Sequence, residues 1–356
     1  MKTNKNSSLE VASEPDRHVK CAHETVSDLG EHQLIEWLHS RIPSPPPWVK
    51  VELGDDAAVV EPKRNSSTVL TVDALIEGIH FDFSFIKPID VGFKSLAASL
   101  SDLAAMGATP RVTLLSLALP PKLPLRVFKD LVDGFLEAAK RHSIQLVGGN
   151  LSRSPGPLVV DVTALGAVGR RRILTRRGAK AGDELFVSGT IGSAATGLKI
   201  LKAEPSILQN NSSCPSAIER FCRPIPRVRL GELVGKNRAA SACIDLSDGL
   251  ADAVHQLASA NDVGMKINSK AIPLDPDVVR WCQEHGSNAL EVALQGGEDY
   301  ELLFVVPKKS RRNFLALKRL IREVSLTSIG VVTSEIEVLL EHNGRTSPLP
   351  PGFVHF

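Results

Sequence analysis

The sequence has 356 residues, which predicts two domains of about 150–200 residues each. Hydrophobic residues make up 43% and charged residues 23% of the chain, the composition of a soluble globular protein. The net charge of +2 gives no basic excess for nucleic acid, and no apolar run reaches the ~20 residues that a membrane span needs. We therefore expect a cytoplasmic protein with no nucleic-acid and no membrane partner.

The N-terminal segment and the cysteines carry no sign of secretion or of a metal cluster. Residues 1–27 are polar, lack the apolar core of a signal peptide and are expected to be disordered. The cysteines form no CxxC pair and have no metal-ligand spacing, so reduced thiols are the expected interpretation. They are Cys21, Cys214, Cys222, Cys243 and Cys282.

Strands and helices alternate along the first half of the chain. The predicted elements are a helix at 31–40, strands at 57–61 and 68–73, a helix at 91–106, a strand at 112–119, a helix at 124–142, and strands at 144–147 and 158–168. Several strands are β-branched and follow one another as in hairpins. This succession predicts α+β layering rather than a doubly wound parallel sheet.

A stretch rich in arginine, 170–177, marks the predicted boundary between an N-terminal domain at 28–172 and a C-terminal domain at 173–356. The predicted elements after it are a strand at 184–188, a helix at 192–202, helices within 215–234, a strand at 240–245, a helix at 248–260, a strand at 300–306, a helix at 309–323 and a strand at 327–333. Segment 203–216 is predicted to be a polar surface loop. We expect two related α/β domains.

Aspartates that follow apolar strands or occupy a bare helix face are the first candidates for chemistry. Asp55 and Asp56 are adjacent and repel each other, so they predict a bound cation or full exposure to water. Asp73 is predicted to end the strand TVLTVD, at an edge where ligands often bind. Asp102 is the only charge on a helix face of small residues and, if buried, needs a cation or an arginine as its partner.

The segment ACIDLSDGLAD adds two more acids. Asp245 ends a predicted strand, Ser247 is predicted to cap the next helix, and Asp248 falls in the first turn of that helix. The segment 296–301 (GGEDYE) has a higher density of acids than a turn requires. Because hard oxygen ligands dominate and no Cys/His cluster exists, the sequence favours Mg²⁺ over zinc or copper.

Two segments are predicted to be glycine-rich turns that present backbone N–H groups to phosphate oxygens, 148–150 and 189–193. Neither matches the GxxxxGK[ST] or the GxGxxG motif. Together with several magnesium ions and Arg176, these turns indicate a polyphosphate substrate such as ATP.

Eight sequence blocks then occur in the order of a known family. They are GDDAAVV, TVDALIEGIHFD, KSLAASLSDLAAMGA, VGGN, RRGAKAGDELFVSGTIG, PIPRVRLGE, IDLSDGL and GGEDYELLF. From about Gly30 to Phe356 the chain resembles the thiamine-monophosphate kinases, which share the aminoimidazole ribonucleotide synthetase fold. The resemblance implies ATP-dependent phosphorylation of thiamine monophosphate to thiamine diphosphate. It also implies several Mg²⁺ ions and a homodimer. Because the acceptor would itself be an ionised phosphate, no general base is required, and Mg²⁺ ions that bridge both phosphates would align direct in-line transfer.

The resemblance also implies three groups of site residues, with the catalytic role at Asp102 and Asp245. The implied magnesium ligands are Asp56, Thr71, Val72 (through its backbone), Asp73, Asp102, Asn150, Asp245 and Asp248. The implied ATP contacts are Gly149, Asn150, Arg176 and Ser247. The implied contacts to thiamine monophosphate are His80, Glu298 and Phe353.

The chain departs from the family pattern at one position, and two alternative functions stay open. The family commonly has GGDT where this chain has Gly148–Leu151, so Asn150 offers a carbonyl oxygen without charge, and a weaker metal site is expected. One alternative is another ATP-dependent synthetase of the superfamily, although Cys21 lacks the glycine-rich setting of a selenophosphate synthetase. The other is a non-catalytic nucleotide-binding homologue, against which the intact aspartates argue.

Overall fold

The structure is a computed structural model that describes residues 24–205 and 214–352. The helices of its N-terminal half are α1 (Val26–Leu29), α2 (Glu31–Arg41), α3 (Pro88–Ala105) and α4 (Leu125–Arg141). The strands of this half are β1 (Val49–Val51), β2 (Val59–Val60), β3 (Ser66–Ile76), β4 (Thr109–Leu119), β5 (Gln145–Arg153) and β6 (Val159–Gly169).

The C-terminal half continues the alternation. Its helices are α5 (Ser193–Ala203), α6 (Pro215–Cys222), α7 (Val228–Asn237), α8 (Leu250–Asn261), α9 (Pro276–Glu284), α10 (Ala289–Gln295) and α11 (Arg311–Ala316). Its strands are β7 (Glu184–Ser188), β8 (Ala242–Asp245), β9 (Gly264–Asn268), β10 (Leu302–Val306), β11 (Leu326–Thr333), β12 (Val338–His342) and β13 (Arg345–Pro348). No helix within the described residues has both the length and the hydropathy to cross a membrane.

Two mixed sheets organise the described residues. The N-terminal sheet has the order β3-β6-β4-β5, in which only β4 and β5 run parallel. The C-terminal sheet has the order β13-β12-β9-β11-β7-β10-β8, with β12 and β9 as its parallel pair, and β1 and β2 form a separate pair. Mostly antiparallel pairing combined with packed helices confirms the predicted α+β class with two α/β halves.

Helix α3 lies between the two halves. Pro88 starts it, at a position where the missing N–H costs nothing, and nearly every residue from Val91 to Ala105 is buried. The helix packs against α4, β3 and β6 on the N-terminal side and against α7 and β8 on the C-terminal side. A helix that is buried on nearly every side needs partners on every side, so both halves share it.

The hydrophobic core crosses the predicted domain boundary. One cluster joins Leu96 and Leu100 of α3 with Phe186 of β7 and Phe304 of β10. The boundary at residue 172 falls in the connection between β6 and β7, but the core does not divide there. The division into residues 28–172 and 173–356 therefore stays a prediction.

Two sequence predictions about elements are wrong, and several short elements are missed. Residues 24–27 are ordered rather than disordered as predicted, because Val26 begins α1 and its N–H donates to the carbonyl of Leu123 at 3.0 Å; residues 1–23 lie outside the described range. The helix predicted at 309–323 ends at Ala316 and continues only as a short 3₁₀ turn. The pattern also missed β9, β12, β13, α9 and α10, which are short and carry weak periodicity.

Candidate active site

Asp73 and Asp102 meet where β3 passes under α3. Asp73 does not end its strand, as predicted, because β3 continues to Ile76. Thr71 and Asp73 are two residues apart and therefore point to the same face of the sheet, towards α3. The Thr71 hydroxyl donates a hydrogen bond to Asp102. The sequence predicts a cation or an arginine as the partner of a buried Asp102. The hydrogen bond that the structure shows comes from a hydroxyl of β3, and the cation stays a prediction.

Asp245 joins this group from the C-terminal half. It ends β8, as predicted, and is buried. The hydroxyl of Ser101 on α3 donates to its Oδ2 at 2.8 Å. Ser101 and Asp102 are consecutive residues of α3. This helix therefore brings Asp245 of β8 close to Asp102 and to Asp73 of β3. The site therefore forms where the two halves meet.

Burial and mutual repulsion dominate the electrostatics of these aspartates. Burial, followed by the neighbouring Asp102 carboxylate, raises the pKa of Asp73 to about 6. The same two causes raise the pKa of Asp245 to about 7. The Oδ2 atom of Asp73 is buried and has no hydrogen-bond partner. Bringing a cation here would relieve both the repulsion and the missing contact.

Tyr300, the only tyrosine in the sequence, lies close to the acidic group. Burial raises the pKa of its hydroxyl well above the usual value, and Glu298, Asp73, Asp245 and Asp248 raise it further. These four carboxylates therefore all lie near the Tyr300 hydroxyl. Tyr300 is not among the predicted site residues, although a lone tyrosine between three acids in GEDYE is a signal for it.

The segment before α8 holds Ser247 and Asp248 beside Glu298. The carbonyl of Ser247 accepts from the N–H of Glu298 at 2.7 Å, and the carbonyl of Leu246 accepts from the N–H of Tyr300 at 3.1 Å. The prediction that Ser247 caps this helix is wrong, because α8 begins at Leu250 and Gly249 occupies the N-cap. Both Ser247 and Asp248 thus lie on a connection that faces the acidic group.

Gly149 and Asn150 are not in a turn, as predicted, but inside β5. At Gly149 a Cβ atom would collide with the carbonyl oxygen of Leu115 on β4, so only glycine allows this approach of the two strands. Register pairs link Asp73 to Val162, Val162 to Leu115 and Leu115 to Gly149. Three strand spacings, about 14 Å, therefore separate Asp73 from this part of β5.

The second predicted phosphate turn, 189–193, already has an anion of its own. The N–H groups of Gly192 and Ala194 donate to the Asp299 carboxylate at 2.6 and 2.9 Å. Asp299 is buried, which raises its pKa to about 7 despite these two bonds. The prediction of a phosphate site at these N–H groups is wrong, because an internal carboxylate occupies them.

Asp56 and Arg176 lie at the surface, and His80 is partly buried. Asp56 is exposed between β1 and β2, and its N–H donates to Asp55 at 2.9 Å. Arg176 donates a hydrogen bond to Gln256 at 2.5 Å. As a nearby cation, it opposes part of the rise in the pKa of Asp245. His80 follows β3, and its Nδ1 accepts from the N–H of Ile76 at 3.1 Å.

The remaining predicted site residues are Val72 and Phe353. The side chain of Val72 is exposed on the face of the sheet opposite Asp73, so only its backbone can serve the acidic group. Phe353 lies outside the described residues. The structure thus brings together Thr71, Asp73, Asp102, Asp245, Ser247, Asp248 and Glu298, and it leaves Asn150 at a distance.

A buried ion network that the sequence analysis missed lies next to this group. Glu301 is fully buried and accepts hydrogen bonds from the Arg227 guanidinium and from the Ser188 hydroxyl. Arg220 adds a second guanidinium at 3.3 Å. Glu301 thus holds two guanidinium groups, and these contacts fix the start of β10, and with it Tyr300, against α6 and α7.

Two models of AIR synthase related proteins match the chain. The N-terminal domain model matches residues 54–168 and the C-terminal domain model matches residues 180–341. The thiamine-monophosphate kinase of Synechococcus elongatus is 35% identical over 339 residues, which cover 93% of this chain and 98% of that relative.

Two solved structures are similar over almost their full length. The crystal structure of thiamine-monophosphate kinase from Stenotrophomonas maltophilia has a TM-score of 0.77 and 33% identity, and the match covers 87% of this chain and 95% of that chain. A structure of AaThiL complexed with AMPPCP and TMP has a TM-score of 0.72 and 33% identity, with 92% and 98% covered. By its sequence and its fold, this chain belongs to the thiamine-monophosphate kinase family of AIR synthase related proteins.

Proposed function

We propose that this chain transfers the γ-phosphoryl group of ATP to thiamine monophosphate, giving thiamine diphosphate and ADP. The observation that carries the proposal is the acidic group of Asp73, Asp102 and Asp245, in which two halves of a kinase-family chain converge on α3. A relative of 33% identity has been solved with AMPPCP, an ATP analogue, and with TMP. These ligands are the donor and acceptor classes that the proposal requires.

Magnesium fits the residues present. Asp73 keeps a buried oxygen without a partner, and the carboxylates of Asp73, Asp102 and Asp245 disfavour one another's charge. Within the described residues no three His, Cys, Asp or Glu side chains enclose an ion by themselves, so substrate phosphate oxygens would complete its coordination. These three aspartates, with Thr71 and Asp248, would hold Mg²⁺, which when bound neutralises and aligns phosphate groups.

The chain's own residues account for orientation rather than for proton transfer. The acceptor phosphate is already ionised near neutral pH, so the reaction needs no general base. The hydroxyls of Thr71 and Ser101 fix the carboxylates of Asp102 and Asp245 through hydrogen bonds, which limits their reorganisation during transfer. We propose direct in-line transfer, which inverts a chiral γ-phosphorus. Retention of configuration would contradict it.

The decisive experiment is a product assay. The protein is incubated with ATP, Mg²⁺ and thiamine monophosphate, and thiamine diphosphate is separated by chromatography and quantified. We expect product with Mg²⁺ and none with EDTA. Failure to form product under conditions where the Synechococcus elongatus relative is assayed in parallel would favour the non-catalytic nucleotide-binding alternative.

We further propose a cytoplasmic homodimer that forms through the bare face of the N-terminal sheet. Helices cover one face of this sheet, while Leu70 and Val72 on the other face are 66% and 61% exposed. Leu114 on β4 is also exposed, and its register with Thr163 and Val72 places it on the same face. Adjacent exposed apolar side chains on a flat sheet are typical of a protein interface.

The oligomeric state of two charge variants tests this proposal. Leu70→Lys should shift the protein from dimer to monomer in analytical ultracentrifugation. Val331→Lys is the matched control, because Val331 is also exposed, at 42%, but lies on β11 in the other sheet. A Leu70→Lys protein that sediments as wild type does would exclude this face as the interface.

A further inference from the structure

An open cavity of about 590 Å³ lies at the end of the N-terminal sheet remote from the acidic group. The turn before β3 and the end of β6 form one wall, and α7 forms the other. Ser66 lines the cavity at the start of β3, whereas Asp73 lies seven residues further along the strand, about 23 Å away. The cavity is therefore separate from the site that the kinase reaction uses.

Cations line this cavity from both halves of the protein. Lys63 and Arg64 come from the turn before β3, and the run Arg170–Arg172 comes from the turn that follows β6. The N–H of Arg172 donates to the carbonyl of Gly169 at 2.7 Å, which closes that turn and presents the consecutive arginine side chains. With a net charge of only +2 on the whole chain, this concentration of positive charge is local.

Helix α7 and its C-terminal cap add Arg229, Lys236 and Arg238 to the lining. Within the described residues, Arg229 is the lining cation that has a carboxylate within salt-bridge distance, Glu232 at 3.6 Å. Repulsion among the other cations costs folding free energy, and an anion in the cavity would offset that cost. Exposed arginines and lysines also match the geometry of phosphate oxygens, with arginine able to bind them through two N–H groups.

We propose that this cavity binds a small anion that carries two or more phosphate groups. Its volume lies in the range of about 300–1,000 Å³ that is usual for small-molecule sites. A nucleic acid would need a basic face that continues beyond the cavity, and the near-neutral chain does not supply one. The shared chemistry is a di- or triphosphate, whether free or attached to a nucleoside.

The site is tied to α3 through its backbone. Gly107, directly after the end of α3, lines the cavity with a φ of +68°, and a Cβ there would lie 3.2 Å from the carbonyl oxygen of Arg172. The carbonyl of Met106 accepts from the N–H of Leu174 at 3.2 Å. An anion held between Arg170–Arg172 and α7 therefore connects the two halves beside the helix that carries Asp102.

Calorimetric titration with inorganic tripolyphosphate, in EDTA, tests the proposal on the full chain. The variant is Arg170→Gln/Arg171→Gln/Lys236→Gln, and the matched control is Lys122→Gln/Lys140→Gln/Arg312→Gln, which removes as many exposed cations elsewhere. We expect at least about tenfold weaker binding in the cavity variant and no change in the control. Equal affinity of wild type and cavity variant would overturn the proposal.

Further arms separate the sources of the phosphate and keep the kinase proposal distinct. If the site accepts nucleosides, ADP in EDTA should bind the wild type and should bind the cavity variant more weakly. If tripolyphosphate shows this difference and ADP does not, the site is one for free polyphosphate. A 20-nucleotide RNA that binds more tightly than tripolyphosphate, and is lost in the same variant, would overturn the small-anion proposal. The rate of thiamine monophosphate phosphorylation without added tripolyphosphate should be the same in the wild type, the cavity variant and the control variant. A wild type that forms no thiamine diphosphate would count against the proposed function and not against the anion site.

Discussion

The side-chain nitrogen of Lys94 lies 2.7 Å from Oε1 of Glu298, which pairs a fully buried cation on α3 with a carboxylate from the other end of the chain. The same nitrogen lies 3.6 Å from the ring centroid of Phe221. Glu298 also has a left-handed backbone, with a φ of 67°. The ion pair therefore holds a strained segment, and an implied substrate contact, at one position beside the acidic group.

Lys94→Met should loosen Glu298 without touching the aspartates. We expect the KM for thiamine monophosphate to rise about tenfold with a smaller change in kcat, because the acceptor contact loses its support. The free energy of unfolding should fall by about 2–3 kcal/mol as one partner of a buried pair is removed. Steady-state kinetics and urea unfolding measure both effects. The control is Lys140→Met on the exposed end of α4, and an unchanged KM in Lys94→Met would show that Glu298 does not need the pair.

Asp102→Asn should abolish turnover while the fold remains. An asparagine oxygen still accepts the hydrogen bond from Thr71, and removing one charge relieves Asp73 and Asp245. We expect a loss of at least about 10³-fold in kcat, the size seen when a preorganised electrostatic contact is lost. The thiamine diphosphate assay measures the loss of turnover, and circular dichroism checks that the fold remains. Asp130→Asn, an exposed change on α4, should leave the rate unaltered, and an active Asp102→Asn would remove Asp102 from the site.

His142 should make the protein less stable in mild acid. Burial lowers the pKa of this imidazole, at the C-terminal end of α4, from 6.5 to about 4, with Arg141 as the lesser cause. As the pH falls below 6.5, the unfolded chain therefore binds a proton that the folded chain refuses. Stability is fully present above pH 6.5 and declines until about pH 4, by about 2–3 kcal/mol in total.

Urea unfolding of wild type and His142→Gln at pH 7 and pH 4.5 isolates this contribution. Between the two pH values the wild type should lose about 2 kcal/mol more than the variant, since glutamine does not titrate. Parallel losses in the two proteins would show that His142 is protonated in the folded state at pH 4.5.

Gly149→Ala should destabilise the fold through β4 rather than through ligand binding. The new Cβ would meet the backbone oxygen of Leu115, which cannot move without disturbing the sheet. We expect the free energy of unfolding to fall by about 2–4 kcal/mol. Gly156→Ala is the matched control, because a Cβ there has no neighbour within 4 Å. Thermal unfolding of both variants would decide the question, and similar melting temperatures would contradict the crowding.

The sequence predicts those parts of the site that have a local pattern. The apolar strand before Asp245 and the face of small residues around Asp102 are each visible within a few residues, and both aspartates lie in the acidic group. The long elements were also found, since periodicity over many residues is a strong signal. The prediction that Asp73 ends its strand is wrong, because β3 runs three residues further, to Ile76.

Partners that come from distant parts of the chain escaped prediction. Nothing near Lys94 indicates that its charge is satisfied by Glu298, 204 residues later. The turn that was predicted to bind phosphate instead binds Asp299, which is also far away in sequence. Sequence periodicity reports which side chains are buried, but only the packing of the two halves decides which buried charges meet.

The sharing of α3 between the two halves has a consequence for how the protein is made. The ribosome releases α3 well before α7 and β8, which cover it. Asp245 is synthesised 245 − 105 = 140 residues after the end of α3, which corresponds to about ten to thirty seconds of translation. For that interval the surface of α3 that α7 and β8 cover stays exposed, and we expect truncated N-terminal halves to aggregate when expressed alone.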